Sequence, residues 1–151
     1  MPCLRKDFLL EPIQLLEARA SGASLILLIV AALDDVSLRS LREGAEALGM
    51  HALVEAHTEE ETLRAVDSGA RIIGINNRDL STFEVDLQVS EKLSARIPRD
   101  IVSVAESGMA TSQDLRRMQE AGFAAALVGS ALMKAPDPAE ALRDMIKGLD
   151  P

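Results

Sequence analysis

Tryptophan and tyrosine are absent from the 151 residues, and phenylalanine occurs three times. Platforms on which a base or a sugar ring could stack are therefore nearly excluded. Cysteine occurs once, at Cys3, so no intrachain disulfide forms and a reducing compartment fits. A lone thiol of this kind reads as a small buried hydrophobe rather than a nucleophile. Positive charge is also short. Lys and Arg number 16 against 24 Asp and Glu, a net charge of −8, which argues against nucleic acid and against an anionic membrane surface as partners. The longest apolar run, Leu25 to Leu33, is too short to span a bilayer, and no signal peptide precedes the first strand. Cytoplasmic residence is the expectation. No His, Cys and carboxylate grouping has metal-ligand spacing, and neither G-x-G-x-x-G nor a P-loop occurs. Neither a metal nor a nucleotide cofactor is expected.

What is present is a repeat. Helices end at Gly22, Gly49, Gly69 and Gly122, and an apolar run begins a few residues after each. These runs, with the first segment and Ile101 to Ala105, predict strands at 3–7, 25–30, 51–56, 71–76, 101–105 and 124–128, each followed by a helix. Pro12 suits a first helical turn, with Ile13, Leu16 and Ala20 following at helical spacing. The next helix opens at Asp34-Asp35 and carries Leu38, Leu41, Ala45 and Leu48 on one face. Thr58 with Glu61, and Thr111 with Asp114, read as capping boxes. Further helices are predicted over 87–97 and, with Pro138 at its start and Leu142 and Ile146 on its apolar side, over 137–149. This is the α/β class: a parallel βα repeat of six units in one domain, residues 1–151. A closed (β/α)8 barrel needs about 250 residues. The six units therefore make an open sheet, a six-stranded closure, or a barrel fragment completed by something else.

In such folds ligands bind at the carboxyl ends of the strands. There the sequence places Lys6 and Asp7, Glu55 and His57, Asn76 and Arg78, Glu106 and Ser107, and Gly129 and Ser130. Polar loops are ordinary after parallel strands, which suffices for Asp7, Asn77 and Asp79. It does not suffice for Glu55, a carboxylate inside the apolar run Leu53-Val54-Glu55-Ala56. Such a group needs a partner or a task and suits general-base work, and Lys6 is the natural partner. His51 and His57 read as surface or helix-start histidines. The Ser107-Gly108 and Gly129-Ser130 turns end adjacent strands and offer free backbone N–H groups to an anion.

The segments LRKDF at 4–8, LLIVAALDD at 27–35, LVEAH at 53–57, IGINNRDL at 73–80, TFEVDL at 82–87, ESG at 106–108 and LVGSALM at 127–133 together resemble indole-3-glycerol phosphate synthase, a tryptophan-pathway family. The resemblance covers nearly the whole chain. It implies a TIM (β/α)8-barrel type fold and a cofactor-free carbon–carbon lyase. The implied reaction is decarboxylating ring closure of 1-(2-carboxyphenylamino)-1-deoxyribulose 5-phosphate to indole-3-glycerol phosphate. By the same resemblance Lys6 is the general acid, positioned by Glu55, and Asn76 and Glu106 hold substrate hydroxyls. Ser107, Gly108, Gly129 and Ser130 bind phosphate, or a sulfate ion in its place. Arg78 supports the Asn76 loop, and Phe8 and Leu127 line the pocket for the anthranilate side. The family's first two βα units, with a further Glu and Lys, have no counterpart, so the implied barrel is truncated at its N-terminus. Impaired turnover is expected, or in the alternative a catalytically silent barrel fragment or engineered scaffold that keeps the phosphate site. Another sugar-phosphate isomerase or lyase on the same barrel is the third reading. The strands at 3–7 and 124–128 would be open edges, and a homo-oligomer that closes them is expected.

Overall fold

A computed structural model describes residues 1–147 and 149. Six parallel strands form one sheet in chain order: β1 Leu4–Arg5, β2 Leu25–Ile29, β3 His51–Ala56, β4 Ile72–Asn76, β5 Val102–Glu106 and β6 Ala125–Leu127. Helices α1 Pro12–Ala20, α2 Asp35–Ala47, α3 Glu59–Asp67, α4 Gln88–Leu93, α5 Ser112–Glu120, α6 Ser130–Lys134 and α7 Pro138–Ile146 complete the repeat. This is a truncated TIM-barrel-like βα fold, six units of a sheet that curls without closing. Each strand pairs with its neighbours in the chain, leaving β1 and β6 as edges.

The local chemistry explains the punctuation. Asp34 caps α2 by accepting from the Ser37 N–H at 2.7 Å, and Asp137 caps α7 just before Pro138. Thr111 and Asp114 form the reciprocal box expected at α5. At α3 the box is half made: Thr58 accepts from the Glu61 N–H, but the Glu61 carboxylate turns back to His57. The four helix-ending glycines all have φ between 74° and 95°, a region open to glycine at little cost.

Strand alternation divides the apolar side chains. Ile26, Leu28, Val54, Ile73, Ile75 and Ala105 face the helices in the main core. Leu27, Ile29 and Leu53, with Leu4, Ile72 and Val104, line the concave side. Edge elements depart from expectation. The 3–7 segment is a strand only at Leu4–Arg5, and 124–128 only at Ala125–Leu127, because each has a partner on one side alone. The 87–97 helix is α4 followed by a 3₁₀ turn at Ser94–Arg96. The 137–149 helix is regular to Ile146; Gly148 lies outside the described residues. In α1 the buried residues are Leu15 and Ala18, whereas Ile13 and Leu16 are 59% and 53% exposed. The apolar stripe is there, but its outer half has no neighbour beyond β1. Cys3, expected to be buried, is exposed beside the same edge.

Candidate active site

The alternation that buries Leu53 on the concave face carries Glu55 onto it two residues later. Gly74 and Asn76, and Val104 and Glu106, repeat the step on β4 and β5. Register then aligns the groups: Glu55 pairs with Gly74, and Asn76 with Glu106. Lys6, one residue past β1, reaches over the rim and completes the cluster. Its Nζ lies 3.3 Å from Glu55 Oε2 and 3.3 Å from Glu106 Oε2. Asn76 Nδ2 donates to Glu55 Oε1 at 3.1 Å, and the Asn76 side-chain oxygen accepts from the Arg78 N–H at 3.0 Å. The carboxylates are 2% and 1% exposed, so they are held almost out of water.

Gly74 makes the depth of Glu106 possible. A Cβ there would overlap Glu106 Oε1, which has no hydrogen-bond partner among the described residues. Burial, reinforced by the Glu55 charge, pushes the Glu106 carboxyl up to about 8, against the partly compensating pull of Lys6. For Lys6, burial favours the neutral amine, but the Glu106 and Glu55 charges outweigh it, and the ammonium is held above its ordinary 10.5. The arrangement is a fixed cation between two buried carboxyls, one of which carries an exchangeable proton near neutrality.

The phosphate-type turns lie on the same rim, since Glu106 pairs with Leu127. Ser107 has φ 63°, unusual for a residue with a Cβ, and Gly108 follows at 86°. A side chain at Gly108 would meet Val85 Cγ1 at 2.5 Å. Gly129 stands in open space and caps α6, which begins at Ser130.

The profile of the indole-3-glycerol phosphate synthase family matches residues 1–145. The chain belongs to that family. It is 54% identical to the indole-3-glycerol phosphate synthase of Opitutus terrae over 91% of its own length and 52% of the relative's. Identity to the Koribacter versatilis synthase is 47%, over 97% of this chain and 56% of the relative. The chain thus spans about half the length of these curated relatives. Among solved structures, 3-hexulose-6-phosphate synthase from Salmonella typhimurium superposes with a TM-score of 0.80 at 16% identity, covering 95% of this chain and 71% of that one, a likeness of fold.

In this synthase-family chain Lys6, Glu55, Asn76 and Glu106 meet in one cluster, and Ser107, Gly108, Gly129 and Ser130 end its two neighbouring strands. Arg78 supports the Asn76 loop doubly: its backbone N–H holds Asn76, and its guanidinium donates to the Phe83 carbonyl at 3.0 Å. Phe8 and Leu127 are not brought together. Phe8 is 61% exposed beyond β1, and Leu127 is half-buried at the opposite edge. Two residues exceed what sequence reasoning gave them. Asn77 is no surface loop residue; it is 1% exposed, donates to the Glu106 and Ser107 carbonyls at 3.0 and 3.1 Å, and accepts from the Ser90 N–H at 3.0 Å. His57 precedes the α3 cap as expected, but its side chain is only 12% exposed and turns toward Glu55. Among the described residues no three His, Cys, Asp or Glu side chains are grouped to hold a metal ion, and no helix is long and apolar enough to cross a membrane.

Proposed function

We propose that this chain acts in the decarboxylating ring closure of 1-(2-carboxyphenylamino)-1-deoxyribulose 5-phosphate to indole-3-glycerol phosphate. The observation that carries the reading is the Lys6 ammonium set between Glu55 and Glu106 on the rim of a chain of this family. Ring closure puts charge on the substrate carbonyl oxygen, and the Lys6 cation supplies the proton or the compensating charge there. Glu55, fixed by Asn76, receives a proton in the later dehydration. Glu106 is neutral up to about pH 8 and so donates a hydrogen bond to a substrate hydroxyl. The Ser107-Gly108 and Gly129-Ser130 turns hold the phosphate through backbone N–H groups. Cytoplasmic residence belongs to the same reading, through the family's biosynthetic role, as does association of copies through the open sheet edges.

Incubating the purified chain with that substrate and following indole fluorescence tests the catalytic part. Product is expected, with turnover about 10²- to 10⁴-fold lower in Lys6→Ala; no product from the intact chain overturns it. The cradle is tested separately by binding of a sugar-phosphate analogue. Because Gly129 faces open space, Gly129→Leu leaves the fold alone and is expected to abolish binding; unchanged affinity removes the phosphate from this turn.

A further inference from the structure

His57 lies between two carboxylates. Its backbone N–H donates to Glu61 Oε2 at 2.7 Å, and its Nδ1 is 3.3 Å from the same oxygen. On the other side of the ring, Nε2 is 3.4 Å from Glu55 Oε1, near enough to take a proton from it, and has no hydrogen-bond partner among the described residues. A neutral imidazole has one N–H, and the nitrogen that carries it is set by the bond its surroundings accept. Glu61, already anchored by the backbone, claims that proton for Nδ1. Nε2 is then left with a bare lone pair facing Glu55 Oε1.

We propose that His57 is a positioning residue for Glu55, held by Glu61 as the Nδ1–H tautomer so that Nε2 takes over the proton Glu55 acquires. In that step the Oε1–H bond of Glu55 breaks and an Nε2–H bond forms. The electron pair stays on Oε1, restoring the carboxylate, and the positive charge on the ring faces Glu61. Nε2 is sealed from solvent, so the proton leaves from the other side of the ring. The Nδ1–H bond breaks as Glu61 takes that proton, and water in an open cavity of about 470 Å³ lined by His57, Glu61, Thr58, Asn76 and Asp79 carries it away. The inference rests on the reading of Glu55 as a proton acceptor and adds the route by which that acceptor is reset.

The test is a long-range proton–nitrogen NMR correlation on the nitrogen-15-labelled full chain, at mildly alkaline pH and without substrate. Only His51 and His57 contribute, and His57→Gln assigns the signals. The expected spectrum has the ring proton of His57 on Nδ1, moving to Nε2 in Glu61→Ala. A proton on Nε2 in the unaltered chain overturns the proposal, as does a ring protonated at both nitrogens, which has no lone pair to offer. An unchanged tautomer in a folded Glu61→Ala chain overturns it too. Because this readout needs no turnover, failure of the synthase reading in the fluorescence assay registers separately.

Discussion

Burial and the Glu55 charge keep a proton on Glu106 up to about pH 8, whereas the unfolded chain releases it near the ordinary 4.5. Between those values the folded state binds more proton than the unfolded one. Stability contributed by this group therefore falls as pH rises across that window and levels off above it. Lys6 behaves differently. Its raised ammonium stabilises the fold fully below 10.5, and that contribution is lost only as pH climbs through the higher folded value. Glu106→Gln imitates the neutral acid, so urea denaturation of this variant should show a flatter pH dependence between about 4.5 and 8. A slope equal to that of the unaltered chain would assign the effect elsewhere. That Glu55 needs a partner was readable because a carboxylate interrupts an apolar strand, and Lys6 is that partner. The proton on Glu106 was not readable, because it depends on the space that Gly74 leaves on the adjoining strand.

At the scale of elements, Asn77 links β4, the end of β5 and the start of α4 through one side chain. Asn77→Ala would leave the buried Ser90 N–H without its acceptor and remove a donor from two carbonyls. The expected cost is about 1–3 kcal/mol in urea denaturation. Weakened binding of a phosphate analogue should accompany it, since the same carbonyls set the Ser107-Gly108 turn. A loss of stability with binding intact would separate the clamp from the turn. Two adjacent asparagines gave the sequence no means of assigning these roles. Strand alternation sends Asn76 inward and Asn77 outward, and only the packed position of α4 turns the second into a clamp. Helix starts and stops were more legible, since Asp34, Thr111, Asp137 and the terminal glycines act within a turn of their own position. Ile13 and Leu16 mark the opposite limit: periodicity identifies an apolar stripe, but not whether another element covers it.

For the whole molecule, that limit has a measurable consequence. Apolar side chains are exposed at both ends of the sheet, Ile13 and Leu16 on α1, and Leu142 and Ile146 on α7 at 45% and 51%. The edge strands beside them each have one unpaired side. Our proposal that copies of the chain close these edges predicts a single compact species larger than a monomer in light scattering. A clean monomer at high concentration would remove it. The parallel repeat itself was readable from six apolar runs and four glycines, and the open edges at β1 and β6 from the resemblance, in which two units have no counterpart. The repeat alone left a six-stranded closure equally open, because an edge is a property of what is absent beside a strand. Within the sheet, each strand is hydrogen-bonded to the strands next to it in the chain. The Lys6–Glu106 contact breaks that rule, joining positions 100 residues apart, one just past the first strand and the other on the fifth. The arc is strung like a bow, with the ammonium as its cord, so the charge assigned to chemistry also braces the curvature that gathers the rim.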